Sequence, residues 1–416
     1  VAPLRNMEDG LSVLELWHGP TSAFKDMALQ LLPHLLSQAL AKTREKREVV
    51  ILVATSGDTG KAALEGFQDV KQTRIIVFFP DEGVSEVQRL QMVTQEGSNV
   101  AVVAVNGNFD DAQTGVKRIF NDPAFGAELS DRGFLLSSAN SINWGRLVPQ
   151  IVYYYSAYAD LVKGGRIHAG QEVNFVVPTG NFGNILAGYY AKQMGLPVGR
   201  LICAANHNNV LTDFLRTGVY DRRREFYKTM SPSMDILISS NLERMLYYAT
   251  GGDTAQVSHW MAELNTSGVY RVEGTPLAHI HSTFWSGWAD EETTAGTIRE
   301  VYERHRYLLD PHTAVAWSVA QEYRHETSDQ APLVVVSTAS PFKFNQSVLE
   351  AIQGSTVTKD KREFDILREL STITGWTVPK ALATLEHKPV KHKDLTDKAL
   401  MADAVRKILH IVKNNS

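Results

Sequence analysis

The chain has 416 residues, 44% hydrophobic and 21% charged, with a formal net charge of -4. This is the profile of a soluble globular protein of two or three domains, and nothing in it points to nucleic acid or to an anionic membrane surface. No apolar run reaches the roughly 18 residues of a transmembrane helix, and a single cysteine, Cys203, rules out an internal disulfide framework and fits a reducing, cytoplasmic compartment.

The opening VAPLRNMEDG has neither an initiator Met nor a signal-peptide pattern, and reads like the interior of a longer protein. In HGPTSAFKDMALQ (18–30), a small-residue turn precedes Lys25 and a helix-like run follows it. VVILVAT (49–55), RIIVFFP (74–80) and NVAVVAV (99–105) are apolar runs rich in β-branched residues. Each is followed by a helix-like segment, the last being FDDAQTGVKRIF (109–120). That alternation predicts βαβ units and parallel sheet covered on both faces. Residues 141–162 predict a long helix that kinks or breaks at Pro149. Residues 173–195 repeat strand, Gly-rich turn and helix, and RLICAAN (200–206) is the next strand. Residues 222–305 are richer in helical and irregular stretches, with many aromatic and polar residues. APLVVVSTAS (331–340) returns to strand and turn, a helix follows at 342–352, and the charged tail from about 360 reads as mostly helical. The expected division is a larger α/β domain from 1–48, 141–221 and 306–416, with a helical region inserted at 222–305, and a smaller α/β domain at 49–140.

Four stretches carry chemistry. PTGNFGN (178–184) follows an apolar strand and opens a helix. Its glycines allow close backbone approach, and free N–H groups at a helix N-terminus favour a phosphate. It is neither a Walker loop nor a Rossmann fingerprint, and an ordinary strand–helix turn is the other reading. ATSGDTGKAA (54–63) has the same form; Ser56, Thr59 and nearby amides would hold a carboxylate, or Asp58 would cap the helix. In STASPFKF (337–344), Thr338 is placed either to hydrogen-bond a ring nitrogen or to cap the next helix. Lys25 is a surface charge like most lysines, or an amine whose apolar neighbours Ala23 and Phe24 make it a Schiff-base nucleophile. A lysine, a phosphate cradle, a carboxylate turn and a hydroxyl for a ring nitrogen together suit a pyridoxal phosphate enzyme acting on an amino acid.

HGPTSAFKDMALQ, SGDTG, NSINWGR (140–146), PTGNFGN and DPHTAVAW (310–317) resemble the blocks of the threonine synthase family in order, and MSPSMDILISSNLERML (230–246) resembles its longer-chain branch. The similarity implies a two-domain α/β enzyme of fold type II, the tryptophan-synthase-β-like class, with the cofactor between its domains. It implies that Lys25 bonds the cofactor, that Gly180, Asn181, Phe182, Gly183 and Asn184 cradle the cofactor phosphate, and that Thr338 faces the pyridine nitrogen. Ser56, Gly57, Asp58 and Thr59 would lie near the substrate carboxylate. Asn143 would orient the substrate or the cofactor hydroxyl, and Arg146 and Lys343 would serve the substrate phosphate or else form structural ion pairs. No metal is implied.

The implied substrate is O-phosphohomoserine. The implied reaction is a γ-elimination of phosphate followed by β-addition of water, giving L-threonine. The rivals are a phospholyase making 2-oxobutyrate, a serine or threonine dehydratase, and a catalytically dead ligand-binding relative. The sequence departs from the family in two ways. A Ser-Thr-Arg-Gly stretch expected upstream of this chain is absent, and Ser340 stands where the family writes His. His312, inside DPHTAV, reads equally as a satisfied structural histidine.

Overall fold

The computed structural model describes residues 2–7, 10–55, 57–82 and 84–411. In chain order its strands are β1 (Leu4–Asn6), β2 (Leu11–Glu15), β3 (Glu48–Ala54), β4 (Thr73–Pro80), β5 (Val100–Asn106), β6 (Phe134–Ser137), β7 (Val173–Pro178), β8 (Val198–Ala205), β9 (Val219–Asp221), β10 (Val269–Arg271), β11 (Phe284–Trp288), β12 (Leu333–Ser337) and β13 (Asp394–Asp397). Among the described residues, no helix is long and apolar enough to cross a membrane. The chain divides into two compact units. One holds the residues up to His18 with Leu147–Arg362 and Ile366–Trp376; the other holds Gly19–Arg146, Glu363–Asp365 and the chain from Thr377 on.

The first unit is built on a six-stranded sheet ordered β1-β2-β12-β7-β8-β11. Only β1 and β2 pair antiparallel; the remaining pairs are parallel. β7 and β12 are buried along their whole length, as strands covered on both faces must be, and this is why they read as unbroken apolar runs. Being neighbours in one parallel sheet, they deliver their following turns, 179–182 and 338–340, to the same edge. The carboxyl ends of such strands are where open α/β sheets place ligands.

The second unit carries a five-stranded sheet ordered β13-β5-β4-β3-β6, in which every pair is parallel. Its core includes Val50, Leu52, Ile76, Phe78 and Val103, with Met401 and Val405 from the C-terminal helix Met401–Ile408 and Leu409 just after it.

The expected boundaries differ from these units at 19–48, 141–146, 363–365 and the tail from Thr377. Residues 19–48 and the tail from Thr377 belong with the five-stranded sheet. β13 hydrogen-bonds to β5, and the last helix packs into that core. The 222–305 stretch is not a helical insertion alone, because β11 pairs with β8 as a sheet strand. As expected, the helical stretch at 141–162 breaks at Pro149, into Trp144–Leu147, a 3₁₀ turn Val148–Gln150 that contains Pro149, and Ile151–Lys163.

Gly66 shows how tightly the lysine-bearing segment is docked within the second unit. A Cβ at Gly66, in the helix Asp58–Phe67, would stand 2.0 Å from the carbonyl oxygen of Leu29. Gly66→Ala is therefore expected to destabilise the protein by about 1–3 kcal/mol through overpacking, read as a lower thermal midpoint. An unchanged midpoint would contradict this close approach.

Candidate active site

In the second unit, Lys25 is the N-cap residue of a short helix, Asp26–Leu29. The turn before it is fixed by Asp26, whose carboxylate accepts from the Thr21 N–H at 2.8 Å and from the Thr21 hydroxyl at 2.6 Å. Gly19 lies so close that a Cβ there would sit 2.5 Å from Asp26 Oδ2. Ser22 takes a left-handed conformation, with φ of 60°. The result is a lysine only 8% exposed. Its Nζ is 3.6 Å from Asp58 Oδ2 and 5.8 Å from the Phe24 ring centroid.

Asp58 is not the helix cap. The N-cap of Asp58–Phe67 is Gly57, with φ of 150°. The capping acceptor is Thr55, whose Oγ1 takes the N–H groups of Gly57 and Gly60, both at 3.0 Å. That releases the buried Asp58 carboxylate to face Lys25, at a helix end where negative charge is favoured. Thr59 is half-buried in the same turn, and Ser56 lies outside the described residues. Asn143 spends its side chain on its own loop: Nδ2 donates to Ser138 O at 2.9 Å, and Oδ1 accepts from Gly145 N–H at 3.0 Å. Arg146 is buried and donates from Nη1 to Ala139 O at 3.0 Å. In the same unit, burial lowers the pKa of the Lys61 ammonium, opposed by its pairing with Glu65.

In the first unit, β7 runs into the loop 179–182 and then the helix Gly183–Gln193. The N-cap residue, Phe182, has φ of 60° and provides no side-chain cap, so the first-turn N–H groups lack an intrahelical acceptor. The loop's carbonyls are held from behind. Gly180 O accepts from Ser239 Oγ at 2.8 Å, and Asn181 O accepts from Asn241 Nδ2 at 2.9 Å. A Cβ at Gly180 would meet Ser233 O at 3.0 Å and Met234 Cα at 3.1 Å.

Asn184 is buried in the first turn of the helix, and its Oδ1 accepts from the hydroxyls of Tyr153 at 2.5 Å and Tyr154 at 2.8 Å. Burial pushes the Tyr154 phenol well above its ordinary range, which keeps it a donor. The Asn184 Nδ2 has no partner among the described residues. An orphaned buried donor beside open helix N–H groups fits the phosphate of a pyridoxal cofactor.

Thr338 follows β12 and is buried. The next turn, Pro341–Phe344, is capped by Ser340, with no side-chain capping bond. The Ser340 hydroxyl is fully buried and, among the described residues, has no partner. Lys343 is buried in that turn at 1% exposure. His312 is satisfied at both ring nitrogens: Nδ1 donates to Asp310 at 2.7 Å, and Nε2 accepts from Ser233 N–H at 3.1 Å. Burial pushes the Cys203 thiol up to about 12, which withdraws the one cysteine from nucleophilic chemistry.

Two groups were not singled out by sequence reasoning. The segment 231–241 stood out only as a family-like block, and its serines and asparagines turn out to clamp the Gly180–Asn184 loop. The pair Tyr153 and Tyr154 sits inside a helical aromatic run that carries no local sign of its partner, Asn184.

The parallel sheets with their glycine turns define a pyridoxal-phosphate dependent enzyme of fold type II. The pyridoxal-phosphate dependent enzyme family matches residues 5–279, and the threonine synthase C-terminal family matches residues 313–408. Threonine synthase of Pseudomonas aeruginosa is 45% identical over 351 residues, covering 84% of this chain and 72% of that protein. The crystal structure of threonine synthase from Brucella melitensis with pyridoxal phosphate bound superposes with a TM-score of 0.84 at 40% identity, covering 98% of this chain and 80% of that one. Threonine synthase-like 1 of Macaca fascicularis is 44% identical over 360 residues, covering 85% of this chain and 48% of that protein. The chain thus spans about half the length of these last relatives. It belongs to the threonine synthase family, and its cofactor is pyridoxal phosphate.

Asp26→Ala would strip the acceptor from two buried Thr21 donors. The expected cost is about 1–3 kcal/mol, measured as a lower urea midpoint. A midpoint equal to that of the parent would show that the carboxylate does not hold the Lys25 turn.

Proposed function

We propose that the chain is a threonine synthase, a carbon–oxygen lyase that converts O-phosphohomoserine and water to L-threonine and phosphate, the last step of threonine biosynthesis. The observation that carries this reading is the burial of Lys25 inside the block that resembles the family's cofactor lysine. The 45% identity to a named threonine synthase supports the particular reaction.

Lys25 is the amine that bonds the cofactor aldehyde. Gly180, Asn181, Phe182, Gly183 and Asn184 bind the cofactor phosphate through first-turn N–H groups and the free Asn184 amide. Thr338 would offer the pyridine nitrogen a neutral hydroxyl, which unlike a carboxylate would not hold the ring fully protonated. Bound pyridoxal phosphate supplies an electron sink for the carbanion that forms when the substrate loses its α-proton.

The chain's own part is proton traffic and orientation. Lys25 would also take and return protons along the substrate's carbon chain as general base and acid. Asp58, 3.6 Å away, orients the Lys25 ammonium group. Phosphate leaves with the γ-carbon–oxygen bond pair, and the oxygen of water bonds the β-carbon. Gly57, Asp58 and Thr59, with Ser56, receive the substrate carboxylate at the start of their helix. Arg146 and Lys343 are the buried cations offered to the substrate phosphate. Asn143 orients the substrate through the turn it ties together.

The alternative is a phospholyase making 2-oxobutyrate: the threonine synthase-like 1 relatives match as strongly in identity as the threonine synthase of Pseudomonas aeruginosa, so identity alone does not choose the product.

Incubation of the purified protein with O-phosphohomoserine separates the two. Threonine and phosphate in equal amounts are expected, whereas 2-oxobutyrate and ammonia without threonine would refute the synthase. Lys25→Ala is expected to remove the cofactor absorbance near about 410–430 nm and to lower turnover by at least about a hundredfold.

A further inference from the structure

His312 and the segment 231–241 lie outside the chemistry described above, yet both are tied to the cofactor cradle by a continuous set of contacts. Asp310 caps the helix Pro311–Thr327, accepting the His312 backbone N–H at 3.0 Å. The same carboxylate takes the His312 Nδ1–H at 2.7 Å and the Thr313 hydroxyl. Thr313 Oγ1 lies 3.0 Å from Ser337 Oγ, which accepts the indole N–H of Trp17 at 3.0 Å. The Thr313 hydroxyl thus lies within donating reach of both the Asp310 carboxylate and Ser337 Oγ, and links the two. Asp310 thereby accepts from three donors, the His312 N–H, the His312 ring and the Thr313 hydroxyl.

This fixes the tautomer of His312. Nδ1 carries the proton because a carboxylate faces it, and Nε2 carries the lone pair because a backbone N–H, that of Ser233, faces it at 3.1 Å. The ring is 2% exposed and packs edge-on against Phe344, with centroids 4.8 Å apart. Ser233 is the residue whose carbonyl stands 3.0 Å from a Cβ at Gly180. A few residues on, Ser239 and Asn241 hold the carbonyls of Gly180 and Asn181. The far side of the segment is anchored too, by Met230 N–H on Glu291 Oε2 at 2.9 Å.

We propose that His312 is a positioning residue for the cofactor phosphate. Its neutral Nε2 holds Ser233 in place, Ser233 and Met234 back Gly180, and the cradle's N–H groups are thereby aimed without His312 touching the cofactor. This rests on the reading of 180–184 as the phosphate cradle.

Two substitutions split the two bonds. His312→Asn keeps a donor near the Nδ1 position for Asp310 and removes the acceptor; His312→Gln offers a carbonyl near the Nε2 position. Pyridoxal phosphate is titrated into each full-length protein and the dissociation constant read from absorbance, with thermal midpoints measured alongside. His312→Asn is expected to weaken cofactor binding by about tenfold or more, the effect of one lost buried hydrogen bond, while His312→Gln stays within about threefold. Tight binding by the parent with unchanged binding in His312→Asn, or equal losses in both variants, would overturn the positioning role. A parent that does not bind the cofactor would refute the cradle reading and the role with it. Should His312→Asn fail to fold, the ¹⁵N shifts of His312 in the parent decide: a protonated Nε2 with cofactor bound overturns the role, and an unprotonated one upholds it.

Discussion

A helix end can hold an anion only if its own protein leaves the terminal N–H groups alone. On the proposed reading of 180–184 as a phosphate cradle, that constraint organises the loop after β7 in the six-stranded unit. The loop after β7 must expose donors, so its carbonyls need partners elsewhere, since a buried backbone acceptor without one is costly. The chain meets the need with a second segment, in which Ser239 and Asn241 take the carbonyls of Gly180 and Asn181. The left-handed Phe182 then turns the chain into the helix with no side chain over the first turn. Asn184 follows the same logic: two tyrosines claim its oxygen, and the nitrogen is left as a donor.

The five-stranded unit solves a related problem with the opposite charge. A buried ammonium needs a carboxylate close by. In a turn such as Thr55–Asp58, an aspartate is ordinarily drawn into capping the helix. Here Thr55, from the end of β3, supplies the capping oxygen to Gly57 and Gly60. The cap and the counter-charge are thus assigned to different residues, and Asp58 stays available to Lys25. Gly60 makes this possible, since a Cβ there would collide with the Thr55 side chain at 2.3 Å.

Strands β3, β4, β5, β7, β8 and β12 were legible in the sequence because burial on both faces demands unbroken apolar runs. β13, with the sequence DLTD and mostly exposed residues, was not, because an edge strand needs no apolar face. The tail read as mostly helical, as its helices Glu363–Thr374, Lys380–Ala383 and Met401–Ile408 are, but the place of the chain from Thr377 in the second unit was missed. Glycine turns after apolar strands made Lys25's partners and the 180–184 loop visible. The roles of Thr55, Tyr153, Tyr154 and the 231–241 clamp were invisible, because each depends on contacts that local patterning does not encode. Asp58 was read as either cap or ligand, and only the geometry of Thr55 separates the two.

The choice between synthase and lyase does not lie in the groups that hold the cofactor. Lys25, the cradle and Thr338 would serve both reactions, since both begin with loss of the α-proton and expulsion of phosphate. They diverge afterwards, according to whether water bonds the β-carbon before the product is released. That step is governed by groups that hold the substrate's distal end and admit or exclude water. Ser340 stands where the resembling family block writes His, three residues before the buried Lys343, and its hydroxyl is buried and unpartnered among the described residues. A buried hydroxyl without a partner is retained at a cost. On the proposed reading, Lys25 serves both reactions alike, so substitutions at Ser340 or Lys343, rather than at Lys25, are the ones that would tell the two products apart.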